Sequence, residues 1–188
     1  TSYLGDNPIN PIKSISSGYQ SQYALLSDGT VYSFGNNSNG QLGNGNLVNQ
    51  YTPVKVLKGA YAGTTYLGDN PINPIVSIAA RYNGYLALLT EGSVYSFGYN
   101  NEGQLGIGNV TNQSSPVKVL EGAYSGTTYL GDKISNPIVS ISGRNGTSIA
   151  ISADGFVFGF GFNVDGQIGD STFINRSSPV FMHGVNDA

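Results

Sequence analysis

The sequence predicts an all-β fold built from three repeated units of four short antiparallel strands. Three observations predict it. The segment 32–43, Tyr-Ser-Phe-Gly-Asn-Asn-Ser-Asn-Gly-Gln-Leu-Gly, returns at 95–106 and, more altered, at 158–169, a step of 63 residues from Gly40 to Gly103 and again to Gly166. Apolar residues fall in short runs rich in β-branched and aromatic types, bounded by Gly, Asn, Asp and Pro. No stretch of ten residues sustains a helical period. A fixed period of this size marks an array whose units cannot bury their apolar faces alone and need their neighbours.

The units span 1–63, 64–126 and 127–188 and open almost identically, on Thr1-Ser2-Tyr3-Leu4-Gly5-Asp6, Thr64-Thr65-Tyr66-Leu67-Gly68-Asp69 and Thr127-Thr128-Tyr129-Leu130-Gly131-Asp132. In the first two, Asn-Pro-Ile-Asn-Pro-Ile follows, and its prolines favour an extended entry into the first strand, expected at 12–16. The second strand is expected at 23–27. Asp28-Gly29 then makes a tight hairpin turn, repeated by Glu91-Gly92 and Asp154-Gly155, because glycine tolerates positive φ, and the third strand returns over 30–34. The fourth is expected after the Gly-Gln-Leu-Gly corner, at 54–57, 117–120 and 180–182. Ala-Leu-Leu (24–26, 87–89) and Val-Tyr-Ser-Phe (31–34, 94–97) are nearly continuous apolar runs, the pattern of strands covered on both faces.

Four-stranded units stacked face to face around an axis form a β-propeller. The motif Asp-Gly-x-Val-Tyr-x-Phe-Gly-x-Asn-x-x-Gly-Gln-Leu-Gly-x-Gly, followed by Pro-Val, occupies 28–45 with Pro53-Val54, and 91–108 (opening on Glu91) with Pro116-Val117. It resembles the repeat of the regulator of chromosome condensation (RCC1) family. The third copy departs at Phe158, Gly159, Ile168 and Asp170-Ser171. The resemblance implies a propeller of about seven blades, so that three blades form part of a larger closed ring or assembly. Two features depart from it. An eleven-residue insert, 59–69 and again 122–132, lengthens the repeat, and the tail 183–188 reads as the entry into a further unit.

Composition narrows the function classes. Charged residues are 10% of the chain against about a quarter in an average soluble protein. The net charge of −3 and scattered basic residues argue against nucleic acid as a partner. With no cysteine there is no disulfide framework, thiolate metal site or thiol catalysis. No apolar run is long enough to span a membrane as a helix.

The glycine-rich corners carry no adjoining Lys or Arg and no following helix, so they read as tight turns and not phosphate loops, with Gln41, Gln104 and Gln167 satisfying backbone groups and Leu42, Leu105 and Ile168 plugging between blades. The lone His183 has no partner for a metal or a triad. Asp6, Asp69 and Asp132 recur at the repeat period and could line a cation site, but a turn-former bonding its own loop is the favoured reading. No catalytic residue, cofactor or metal is expected. Five Asn-x-Ser/Thr sequons, at Asn36, Asn109, Asn112, Asn145 and Asn175, lean weakly towards secretion.

The insert is the candidate site. Tyr3, Leu4, Tyr61, Tyr66, Leu67, Tyr124, Tyr129 and Leu130 recur among Gly, Ala and Thr on successive units and are expected to gather on one face as protein-contact anchors. The competing reading folds them over their own blades as a small extra hairpin. The sequence therefore points to a non-enzymatic protein-binding or structural propeller, extracellular or on a cell surface, whose partner is another protein, further copies of itself or further blades of a longer chain. Two rivals come with the resemblance: an exchange factor for a small GTPase, and a secreted inhibitor of a hydrolase such as a β-lactamase.

Overall fold

The computed structural model describes residues 3–61, 65–124 and 128–184. The first blade comprises β1 (Ile12–Ser17), β2 (Ser21–Leu26), β3 (Val31–Gly35) and β4 (Gln50–Lys55); the second β5 (Ile75–Ala80), β6 (Gly84–Leu89), β7 (Val94–Gly98) and β8 (Gln113–Lys118); the third β9 (Ile138–Arg144), β10 (Thr147–Ser152), β11 (Val157–Gly161) and β12 (Arg176–Phe181). Each blade is an antiparallel meander with strands in sequence order. Among the described residues there is no helix.

The hairpin turns stand as expected. Gly29 adopts φ 89° between Leu25 and Val31, which pair directly across the turn. The fourth strand corrects the sequence reading: it starts four residues earlier than expected in every blade and runs through Pro53, Pro116 and Pro179. Proline is tolerated there because this strand is the outer edge and one row of its N–H groups has no ladder partner. The apolar residues that suggested the later position lie beyond the strand: Val56 is fully buried, and Leu57 bridges back to Tyr66.

Packing between blades explains the run of apolar residues. β1, β5 and β9 lie side by side, and one apolar cluster fills each of the two interfaces, around Tyr85 in the first and Phe160 in the second. In the middle blade every residue of β6 and β7 is buried. In the third blade β10 alternates between buried and half-buried residues, because only one face has a neighbour. The expected plugs Leu42, Leu105 and Ile168 have no exposed surface. Gly43, at φ 63°, lies so close to the next blade that a Cβ would sit 2.8 Å from the Phe97 ring, and Gly106 repeats this against Phe160.

The stacking is reinforced by backbone hydrogen bonds that recur at both interfaces. Gly45 N donates to Ser114 O and Ala60 N to Pro116 O; Gly108 N donates to Ser177 O and Ala123 N to Pro179 O. The outer edge strand of each following blade thus finds its partners in the loops of the blade before it.

Candidate functional site

The blades have two ends. One carries the β2–β3 turns and the inserts; the other carries the β1–β2 turns and the long β3–β4 loops that contain the Gly-Gln-Leu-Gly corners.

At the insert end the structure buries much of the expected contact surface. Tyr61 is 3% exposed, its ring edge-on to Tyr95 at 5.9 Å, and its hydroxyl donates to Asn73 O and accepts from Asn70 N. Tyr124 repeats this against Phe158 at 5.5 Å, with its hydroxyl bonded to Asn136 O. Burial pushes both phenols above their ordinary pKa. Leu67 and Leu130 are fully buried. Tyr66 and Tyr129 are half-buried, each lying against a lysine of the edge strand that precedes it: Lys55 Nζ is 4.9 Å from the Tyr66 centroid, and Lys118 Nζ is 5.2 Å from that of Tyr129. Leu4 is half-buried, while Tyr3 is exposed. Four of the eight candidates are therefore core, because the next blade's apolar face lies nearer to them than solvent does. Residues 62–64 and 125–127 of the inserts and the tail 185–188 lie outside the described residues.

The aspartates of this end serve their own loops or blades. Asp6 Oδ2 accepts from Tyr3 N, and Asp69 Oδ2 from Thr65 N and Tyr66 N. Asp132 instead accepts from Ser93 Oγ and pairs with Lys118 at 3.1 Å. His183 Nδ1 lies 3.1 Å from Ser171 Oγ, and among the described residues no cluster of three metal-ligating side chains occurs.

The opposite, loop end presents aromatic side chains to solvent. Tyr19 and Tyr82, at equivalent positions of successive blades, stack with centroids 4.7 Å apart while remaining 63% and 47% exposed. The turns that carry them are tied in series, Tyr19 N donating to Tyr82 O and Tyr82 N to Asn145 O. Tyr99 and Phe162 occupy matching places in the β3–β4 loops, and with Tyr82 and Glu102 they line a cavity of about 210 Å³ between the second and third blades.

These loops are held by buried asparagines. Asn100 is fully buried; its Oδ1 accepts from Leu105 N, and its Nδ2 donates to Asn109 O and Thr111 O. Asn37 and Asn163 repeat the arrangement. The corner glutamines act as expected, with Gln41 Oε1 accepting from Asn39 N and Gln104 Oε1 from Glu102 N.

A family model described as regulator of chromosome condensation (RCC1) repeat matches residues 28–85 and 91–151, and a second of the same description matches 12–41 and 75–104. The chain belongs to the RCC1 repeat family. The probable E3 ubiquitin-protein ligase HERC4 of Rattus norvegicus is 28% identical over 174 residues, covering 93% of this chain and 14% of that protein. The RCC2 homolog of Xenopus laevis is 31% identical over 177 residues, covering 90% and 30%. Among solved structures, human WBSCR16 gives a TM-score of 0.69 at 25% identity over 94% of this chain and 40% of that one. Yeast RCC1 (Prp20), in its complex with Kap60, gives 0.70 at 21% identity over 93% and 37%, a likeness of fold. The chain thus spans less than half the length of each.

Within this RCC1-repeat arc the sequence reading missed the loop end and the asparagines. Both carried a signal: Tyr19 and Tyr82, Tyr99 and Phe162, and Asn37, Asn100 and Asn163 all recur at the repeat period. It also passed over Arg81, which is 2% exposed in the second interface and has no carboxylate bonded to it among the described residues. Burial lowers its pKa to about 9.

Proposed function

We propose that this RCC1-repeat chain is a non-enzymatic protein-binding segment of a propeller and that it meets its partner through the loop end. The observation that carries this reading is the exposed Tyr19–Tyr82 stack, flanked by Tyr99 and Phe162 on a frame fixed by hydrogen bonds. Large, rigid, amphipathic rings already held in place lose little entropy on binding, which is why such residues anchor protein interfaces. Support from relatives is of the same kind: a solved structure of yeast Prp20 is described with its binding properties to Gsp1p and histones. An extracellular or cell-surface setting, favoured by the low charge and the sequons, belongs to the same proposal.

A photo-reactive residue at position 19 in the intact protein, expressed in its own cells, tests the reading against the same residue at position 133 of the insert end. Specific capture of a protein from position 19 alone is the expected result. Capture only from position 133, or equally from both, would refute it. If the captured protein is a small GTPase, its nucleotide release rate decides the exchange-factor reading; if it is a hydrolase, its residual activity decides inhibition.

A further inference from the structure

At the first blade interface the chain closes its loop end with its own side chains. Tyr82 lays its ring on Tyr19, and Asn83 Oδ1, beside it, accepts from Gln41 Nε2. At the second interface both closures are lost: Asn145 stands in place of Tyr82 and Gly146 in place of Asn83, while Tyr99 replaces Asn36 on the facing loop. What remains is the cavity of about 210 Å³ between the second and third blades, walled by Tyr82, Tyr99, Phe162, Gln104, Asn145 and Gly146, and its exposed wall is almost wholly apolar. Among the described residues only Tyr19 stacks on Tyr82, and no ring pairs with Tyr99 or Phe162. One polar group is left over. Gln104 is 4% exposed, its Oε1 accepts from Glu102 N, and its Nε2 has no acceptor among the described residues. That Nε2 stands 3.7 Å from where a Cβ on Gly146 would lie, so it borders the space that a side chain at position 146 would fill.

The first interface shows what fits such a place. There a ring lies on a ring, with centroids 4.7 Å apart and planes 21° from parallel. The slot continues that stack by one position, since Tyr82 both covers Tyr19 and walls the cavity. An aliphatic side chain would fill the volume but cover Gln104 Nε2 without an acceptor, which is costly, whereas the π face of a ring accepts from an amide N–H. A cation would leave water for an almost wholly apolar wall and would bring only further donors to that amide. We infer that the slot between the second and third blades receives an aromatic side chain of a partner protein, stacked on Tyr82 as Tyr82 is stacked on Tyr19. The inference rests on the loop end being the contact face.

The test titrates Nα-acetyl-phenylalanine amide and its saturated counterpart Nα-acetyl-cyclohexylalanine amide into the isotope-labelled protein, reading amide shifts at Tyr99, Asn145 and Gly146 and the proton shifts of the phenylalanine ring. The phenylalanine compound is expected to saturate the amide shifts, to move its own ring protons upfield, and to bind roughly threefold tighter than the saturated compound although the latter is the more apolar. Gly146→Asn restores the side chain that closes the first interface and should abolish binding. Tyr82→Leu, which changes only an exposed turn, should erase the preference for the ring and its upfield shift. Equal or tighter binding of the cyclohexyl compound, undiminished binding to folded Gly146→Asn, a ring preference that survives Tyr82→Leu, or no saturable shift at the three amides would overturn the inference. Capture of a partner from position 19 with no such ring preference would remove the slot and leave the contact face standing; capture at the insert end alone would remove both.

Discussion

Arg81 donates across the second blade interface to Ser148 Oγ, and it occupies the place that Tyr23 and Tyr85 share at the first. The repeat makes the exchange legible. Tyr23 corresponds to Leu86, Tyr85 to Ser148 and Arg81 to Gly18, so two large rings are lost at the second interface where one long side chain is gained. The hydrogen bonding is conserved although the donor changes. Tyr23 Oη donates to Gln41 O at the first interface, and at the second Arg81 Nη1 and Ser148 Oγ donate to Gln104 O.

Truncating this arginine should therefore act through volume more than through charge. Arg81→Ala leaves a cavity between blades and is expected to cost about 2–4 kcal/mol. Arg81→Met keeps most of the volume and removes a buried charge that has no carboxylate, so its cost should stay within about 1 kcal/mol. Urea unfolding of both variants checks this, and equal losses would show that the guanidinium's hydrogen bonds and charge matter to the interface and its volume does not.

Alkaline pH should weaken the fold through its buried phenols. Burial raises the pKa of Tyr23, Tyr85 and Tyr95 above the ordinary 10.0, so the folded chain keeps protons that the unfolded chain releases. Their contribution is complete below about pH 10 and is lost above it, each group giving a slope of about 1.4 kcal/mol per pH unit. Arg81 acts with the opposite sign, because burial holds its pKa below the ordinary arginine value. The urea midpoint should stay level up to about pH 9 and fall increasingly beyond it as the unfolded phenols ionise. A midpoint that stays level through about pH 11 would contradict the burial of these rings.

The insert tyrosines divide into two classes. Tyr61→Ser or Tyr124→Ser removes a buried ring and its bond to the chain leading into the next blade, and should cost about 3 kcal/mol or more. Tyr66→Ser or Tyr129→Ser removes a half-exposed contact with a lysine and should cost less than about 1 kcal/mol. Thermal unfolding of the four single variants would show the split, and four small, equal shifts would return the insert to the role of a contact surface.

The outer blade faces should make the 188-residue polypeptide associate by itself. Tyr51 of the first blade is 96% exposed where its equivalent in the second, Ser114, receives the Gly40 corner of the preceding blade. Among the described residues nothing lies near Gly155 of the third, whereas its equivalents Gly29 and Gly92 pack on Pro74 and Pro137 of the next unit. One face thus has the acceptor half of the recurring interface and the other the donor half, a heterologous pair that propagates or closes. Sedimentation should show species larger than the 19.7 kDa chain, and a monodisperse monomer with cooperative unfolding would refute this.

By itself the sequence determined the period, the four-strand unit, the Asp28-Gly29 turn and the role of Gln41 and Leu42, because each is a local consequence of residue type repeated three times: glycine at positive φ, a short polar side chain beside a turn, an apolar residue after a corner. It misplaced β4 because Val56 and Leu57 suggested a strand further along, and only the assembled sheet makes the stretch through Pro53 an edge strand that tolerates proline. Tertiary structure alone decided which tyrosines face water. Tyr61 and Tyr19 both stand beside glycine and small residues in the sequence, yet one packs on Tyr95 of the next blade and the other lies open on Tyr82. The difference is which end of the blade each loop leaves from and how near the neighbouring face then comes, and burial is a property of that distance, not of the residue.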